Sequence, residues 1–363
     1  MLKIIDHITK RKDGRYMGRF ISGYDENGKA IYQCIYGKTY EEVEEKLRIA
    51  NEITSRFLSG KSVSVKTVYE EWLNAVVNRI KESTFANYKL KFEKHILPEF
   101  GDVSCAELST GKINAFINRK LATGLSASYV RDIIIVFKTM LKYAQEEYRF
   151  DLSFKNISMP KCEKRQENKL ADSEQRLLVE YLKQHIDLTS FGILISLFMG
   201  IRIGELCGLR WNDVDFKNRT LRIGRTVQRI AIAEGSRKTK VIVSSPKSST
   251  SCRAISIPDF LMEYFEKFKA DKDCYILSGS EKATEPRVMQ YRYKRIMAMA
   301  RVSYRNYHQL RHTFATNCMQ NGFDIKTLSN VLGHSSVNLT LSRYVHPDFA
   351  HEQRLMNEMC MLF

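Results

Sequence analysis

None of the eight cysteines stands in a Cys-x-x-Cys pair; they are scattered along 363 residues. That argues against a disulfide framework and a four-thiolate zinc site, and it fits a reducing cytosol. Long apolar runs are also missing. The longest strongly apolar stretch, Phe191 to Ile201, is too short to span a bilayer and reads as a buried helix, so no membrane association is expected. The first residues hold no apolar signal-peptide core, only a short strand-like piece followed by Lys10-Arg11-Lys12. No internal repeat or low-complexity tract is present. Acid is in deficit: 58 Lys and Arg against 41 Asp and Glu leave a formal charge of +17. The excess is spread over residues 1–60, 63–150 and 170–363. Such a balance favours a polyanionic partner, because basic proteins bind phosphate backbones by releasing condensed counterions.

The length suffices for two or three domains. Residues 1–60 read as three strands and a helix. The strand candidates are Leu2 to Ile5, Arg15 to Ser22 and Lys29 to Tyr36, with Asn27-Gly28 as a hairpin turn between the last two. Thr39 caps the helix and Glu42 completes a capping box. Arg11, Lys12, Arg15, Arg19 and Lys29 lie on or near the sheet, and a small ribbon of this kind can enter a DNA major groove. Residues 63–150 read as four helices. Val68, Trp72, Leu73, Val76 and Val77 follow a helical period. Ser83 caps a second helix that Pro98 and Gly101 stop near Ile96. A third spans Thr110 to Ala122, and Ser126 begins a fourth. Residues 151–169 read as a polar linker. Residues 170–363 form a mixed, mostly helical domain with short strands between about 213 and 257. The fold class is therefore multidomain and mainly α with small β elements.

Chemistry concentrates near the C-terminal end. Four of the eight histidines lie between positions 308 and 346. His308-Gln309-Leu310-Arg311-His312 is followed by Leu332-Gly333-His334 and then by Tyr344. Arg202 stands earlier, after a buried run and Gly200, where a charge should be paired or functional. A phosphodiester under attack gains charge on its nonbridging oxygens, and an arginine fork binds two of them while staying charged. Arg202 and Arg311 are the expected clamps. His308 and Arg311 share a helix face at i,i+3 spacing. Gly333 lets the backbone turn and present His334. A phenol has a pKa near 10, so a nucleophilic tyrosine needs cations around it. Zinc is disfavoured: His308 and His312 have i,i+4 spacing, but position 309 is glutamine and no third ligand is evident.

These motifs, from Met199 through Leu209-Arg210-Trp211 and Ser245-Pro246-Lys247-Ser248 to Tyr344, resemble the tyrosine recombinase, or phage integrase, family. The module at 63–150 resembles its core-binding domain, and residues 1–60 resemble the arm-binding module of integrases from conjugative transposons and temperate phages. The resemblance implies a site-specific DNA recombinase that works without cofactor or metal through a 3′-phosphotyrosyl link. It implies Tyr344 as nucleophile, Arg202 and Arg311 as phosphate clamps, His308 in proton transfer, and His334 as a donor to the phosphate. Lys247 is the implied general acid, with Lys238 and Lys240 as rivals on the same basic stretch, while His312 and His346 are expected to be structural. The implied partners are double-stranded DNA at core and arm-type sites, three further copies of the chain in a tetramer, and an excisionase or host DNA-bending protein, all in the bacterial cytoplasm. The apolar tail after Tyr344 is expected to dock on a neighbouring subunit or on its own domain. A Xer-like resolvase, a relaxing topoisomerase of type IB and a non-cleaving DNA-binding protein of the same fold remain the alternatives.

Overall fold

The computed structural model describes residues 8–24, 29–60, 63–148, 156–162, 169–232, 239–245, 251–344, 353, 356 and 357. The chain divides into two compact units, Met1–Lys164 and Arg165–Phe363. Among the described residues no helix is long and apolar enough to cross a membrane.

The first unit opens with an antiparallel sheet in the order β1 (Ile8–Lys10), β2 (Tyr16–Tyr24), β3 (Ala30–Gly37). The expected strand at Leu2 to Ile5 and the turn at Asn27-Gly28 lie outside the described residues. Helix α1 (Tyr40–Gly60) packs on one sheet face through Val43 and Leu47, both buried. Gly18 makes that approach possible, because a Cβ there would run into the Leu47 side chain. The capping box is altered. Thr39 Oγ1 accepts the Glu42 amide at 3.2 Å, but the Glu42 carboxylate reaches back to the Lys38 amide, at 2.8 Å, instead of that of Thr39.

A helical bundle follows: α2 (Val65–Val76), α3 (Glu82–Lys91), α4 (Leu97–Phe100), α5 (Thr110–Ala122) and α6 (Ala127–Tyr148). Its core is aromatic and aliphatic, with Trp72, Phe92, Phe116, Ile133 and Phe137 fully enclosed. Two expectations fail here. Lys81 occupies the capping position of α3, so Ser83 sits inside the helix. Pro98 does not stop it either. A π-turn at Phe92–Ile96 shifts the hydrogen-bond ladder, and Pro98 falls in the first turn of α4, where its missing N–H costs nothing. The chain beyond the bundle stays attached for a few residues: Asn114 accepts the Ser158 amide at 2.9 Å, and Ile157 and Met159 pack on the core.

The second unit is built round α8 (Leu188–Met199), which is buried along almost its whole length. Helices α7 (Asp172–Gln184) and α9 (Ile203–Cys207) flank it in sequence. A small antiparallel sheet has the order β4 (Val214–Asp215), β5 (Thr220–Ile223), β8 (Arg253–Ser256). Strands β6 (Thr226–Ala231) and β7 (Thr239–Ser244) form a separate antiparallel pair. The basic stretch 225–253 reads as a hairpin, and within it β6 pairs antiparallel with β7. Helices α10 (Asp259–Lys267), α11 (Pro286–Met299), α12 (His308–Gln320), α13 (Ile325–Leu332) and α14 (Val337–Tyr344) complete the unit.

Candidate active site

Two helix ends organise the site. α8 stops at Gly200 (φ 64°) and α13 stops at Gly333 (φ 63°), both in the left-handed conformation that glycine adopts without strain. Each glycine also permits a close approach. A Cβ at Gly200 would collide with the Phe314 ring, and one at Gly333 would sit 2.8 Å from Arg253 Nη1. The last carbonyls of a helix lack intrahelical donors and carry partial negative charge. Arg311, on α12 and 2% exposed, answers both ends at once: Nη1 donates to Gly200 O at 2.9 Å and Nη2 to Leu332 O at 2.7 Å. Burial, and behind it the neighbouring Arg202, pushes its guanidinium down to about 9, which leaves it charged at neutral pH.

Arg202 follows Gly200 and caps α9. It is the more open arginine, with a side chain 36% exposed. Its Nη1 donates to Glu205 Oε1 at 2.7 Å, and its backbone amide donates to Glu205 Oε2 at 3.0 Å. Its Nη2 lies 3.4 Å from Gly333 O. Glu205 is 3% exposed and also takes a fork from Arg253, at 3.3 Å from Nη1 and 3.0 Å from Nη2. Burial works against the Glu205 carboxylate, but Arg253 and then Arg202 outweigh it and hold its pKa below the usual value.

The Gly333 turn presents His334, whose Nδ1 lies 2.8 Å from the hydroxyl of buried Thr340. Tyr344 ends α14. Its ring is parallel to that of His334 within 2°, centroids 6.5 Å apart, and its hydroxyl lies 3.0 Å from His312 Nδ1. The His308 ring meets His312 edge-on at 4.7 Å. Five expected residues, Arg202, His308, Arg311, His334 and Tyr344, are therefore brought together around α12 and the two glycine-capped ends. Lys247 and its rival Lys238 lie outside the described residues. Lys240 lies exposed on β7, paired in register with Ile230. His346 also falls outside them.

Residues 163–351 match the Phage integrase family, and residues 64–121 match the Phage integrase, N-terminal SAM-like domain. The chain belongs to the phage integrase family. Its members, the tyrosine recombinases, cut and rejoin DNA at specific sites. A Tyrosine recombinase XerC-like protein of Caldanaerobacter subterraneus subsp. tengcongensis is 30% identical, with 95% of each chain covered. In fold, this tyrosine recombinase is similar to the Tn1549 transposon integrase in complex with transposon right end DNA: TM-score 0.66, 18% identity, 82% of this chain and 100% of that one. It is also similar to a lambda integrase tetramer bound to a Holliday junction, with TM-score 0.57, 19% identity, and 92% and 97% covered.

Four groups at this recombinase site escaped the sequence reading or were assigned elsewhere. Glu205 left one signal: it is the sole acid between Leu188 and Trp211. Arg253 begins a short strand ahead of Ala254 and Ile255, which is a weaker one. His312 was expected to be structural, yet it hydrogen-bonds the Tyr344 hydroxyl. Thr340 has no sequence mark at all.

Proposed function

We propose that this recombinase integrates and excises a mobile element, a conjugative transposon or prophage, by cutting each DNA strand with Tyr344. The observation that carries the reading is the convergence of Tyr344, His334, Arg202 and Arg311, from separated stretches of chain, on the two glycine-capped helix ends. The Tyr344 oxygen attacks the scissile phosphorus and the bond to the 5′-oxygen breaks, leaving a 3′-phosphotyrosyl link and a 5′-hydroxyl. Arg202 and the buried charge of Arg311 stabilise the phosphoryl oxygens as negative charge builds. Thr340 donates to His334 Nδ1, so that Nε2–H serves the phosphate. The phenol proton leaves by His312, with His308 beside it. Lys247 protonates the departing 5′-oxygen, since an alkoxide leaves poorly. Attack on the phosphotyrosine by a 5′-hydroxyl of the other duplex reverses these steps without ATP.

The domain roles belong to the same proposal. Residues 170–363 cut, 63–150 clamp the core site from the other face, and 1–60 bind arm-type sites. The module's open face supports this last role: Arg19 lies 3.8 Å over Tyr32 and Arg11 5.3 Å over Tyr36, and both tyrosines are exposed. The assembly is a homotetramer on two duplexes in the bacterial cytoplasm, with an excisionase or a DNA-bending host protein setting direction. The XerC-like relative favours a second reading, a resolvase. Mapping the chromosomal junctions of the element that encodes the chain separates the two and supplies the core site. On a nicked suicide substrate of that sequence, the parent forms a protease-sensitive shifted band on a denaturing gel. Tyr344→Phe binds the substrate and forms none. A persistent adduct in Tyr344→Phe places the nucleophile elsewhere.

A further inference from the structure

Arg253 is buried beside Arg202, Glu205 and the Gly333 turn. It is the first residue of β8, yet its side chain is only 7% exposed. Its guanidinium is fully engaged. Nε donates to Val331 O at 2.6 Å, Nη1 to Ser251 O at 3.1 Å, and both Nη atoms fork onto the Glu205 carboxylate. It also packs directly under Gly333, where a Cβ would stand 3.0 Å from Arg253 Cζ. One side chain thus joins the end of the segment before β8, the turn that carries His334, and the acid that holds Arg202.

The charges give this arrangement a consequence. Glu205 is one anion shared by two guanidinium groups, those of Arg202 and Arg253. With both present, the Arg202–Arg253–Arg311 cluster keeps a surplus of two positive charges for the phosphate. Without Arg253, the whole Glu205 charge falls on Arg202, which is 2.7 Å away. The most open arginine of the site would then be largely cancelled by its own neighbour. A buried ion pair is weak evidence for stability, because desolvation offsets much of the attraction, so the pairing calls for another reason.

We propose that Arg253 is a positioning residue for DNA cleavage: it draws off the Glu205 charge so that Arg202 acts on the scissile phosphate, and it fixes the Gly333 turn that aims His334. The inference rests on the assignment of Arg202 as a phosphate clamp. The test uses the full chain and single-turnover adduct formation on the nicked core-site substrate at saturating DNA. Arg253→Ala loses roughly 10²-fold in rate, the scale of one lost charge-stabilising group, while its affinity for the core site stays within about threefold of the parent. Arg253→Lys recovers little, because an ammonium cannot fork onto a carboxylate. Adding Glu205→Gln to Arg253→Ala removes the anion left in excess and raises the rate on the order of tenfold. Because removing an uncompensated buried anion can also restabilise a fold, the unfolding midpoint of each variant is measured alongside. A residue that only supported the fold would lose and regain rate in step with that midpoint, whereas a positioning residue loses rate in protein that stays folded. Arg253→Ala cleaving at the parental rate, or the double variant cleaving no faster than Arg253→Ala, overturns the proposal. Arg202→Ala, run alongside, separates the premises: if it cleaves normally, the clamp assignment fails, and that failure is read independently of the Arg253 comparison.

Discussion

Phe137 and Glu205 are almost equally hidden from solvent, at 0% and 3% exposure, and their surroundings could hardly differ more. Phe137 lies in the helical bundle, stacked on Phe100 with centroids 5.5 Å apart and edge-on to Phe92 at 6.2 Å. Apart from Lys91 and His95, the buried side chains around it are apolar. Glu205 lies among arginines at the end of α8. Burying apolar area stabilises a fold, at about 25 cal/mol per Å² removed from water. Burying charge costs several kcal/mol per ion, which pairing only partly returns. The bundle core is thus what folding physics favours, whereas the Glu205 cluster is weak evidence for stability, which suits the chemical use proposed for its arginines. Sites that break the rules of stability are where function is expected.

The same contrast explains what the sequence disclosed. The bundle was legible because its signals are local. Ser109 and the apolar period of Ile113, Phe116 and Ile117 place α5 at Thr110–Ala122, as the sequence reading has it. The π-turn at Phe92–Ile96 has no compositional mark, and Pro98, which reads as a stop, begins a new turn. In the recombinase site, Gly200 and Gly333 were legible as punctuation, and Arg202 and His334 follow them. Glu205 and Arg253 are 48 residues apart, and His312 and Tyr344 are 32 apart. No local pattern announces such pairs; only the packing of α12 against α8, and of α13 and α14 beside it, creates them.

Four changes sharpen or break this division between stability and chemistry. The largest expected effect is chemical. Lys247→Ala lowers cleavage by roughly 10²–10⁴-fold, the usual contribution of a positioned proton donor, and leaves thermal unfolding near that of the parent. Sulfur in place of the bridging 5′-oxygen restores its rate, because a thiolate leaves without a proton. It does nothing for Arg311→Ala. Rescue of Lys240→Ala in place of Lys247→Ala moves the acid to β7. Phe137→Ala comes next. It destabilises the bundle by about 3–5 kcal/mol in chemical denaturation. In conditions where it remains folded, its cleavage rate at saturating DNA stays near parental. A large loss of that rate in folded protein would mean that the bundle core shares in the chemistry.

Gly200→Ala is a smaller and mixed change. A left-handed φ at a non-glycine residue costs roughly 1–3 kcal/mol, and the added Cβ displaces Phe314, so both unfolding midpoint and cleavage fall together. A fall in the midpoint alone would detach the α8 end from the site. The smallest effect is none: cleavage in excess EDTA equals cleavage without it if, as proposed, Arg202 and Arg311 supply the charge that a metal ion would otherwise bring. Loss in chelator with recovery on adding zinc returns the His308 and His312 pair to the status of ligands.

The most direct measurement isolates the covalent adduct of the parent recombinase on a suicide substrate, digests it with nuclease and trypsin, and locates the attached nucleotide by mass spectrometry. The account predicts the nucleotide on the peptide from Tyr344 to Arg354, with the phosphate on the Tyr344 oxygen and no adduct when Tyr344 is phenylalanine. Attachment at any other tyrosine, or at a serine or histidine, contradicts it.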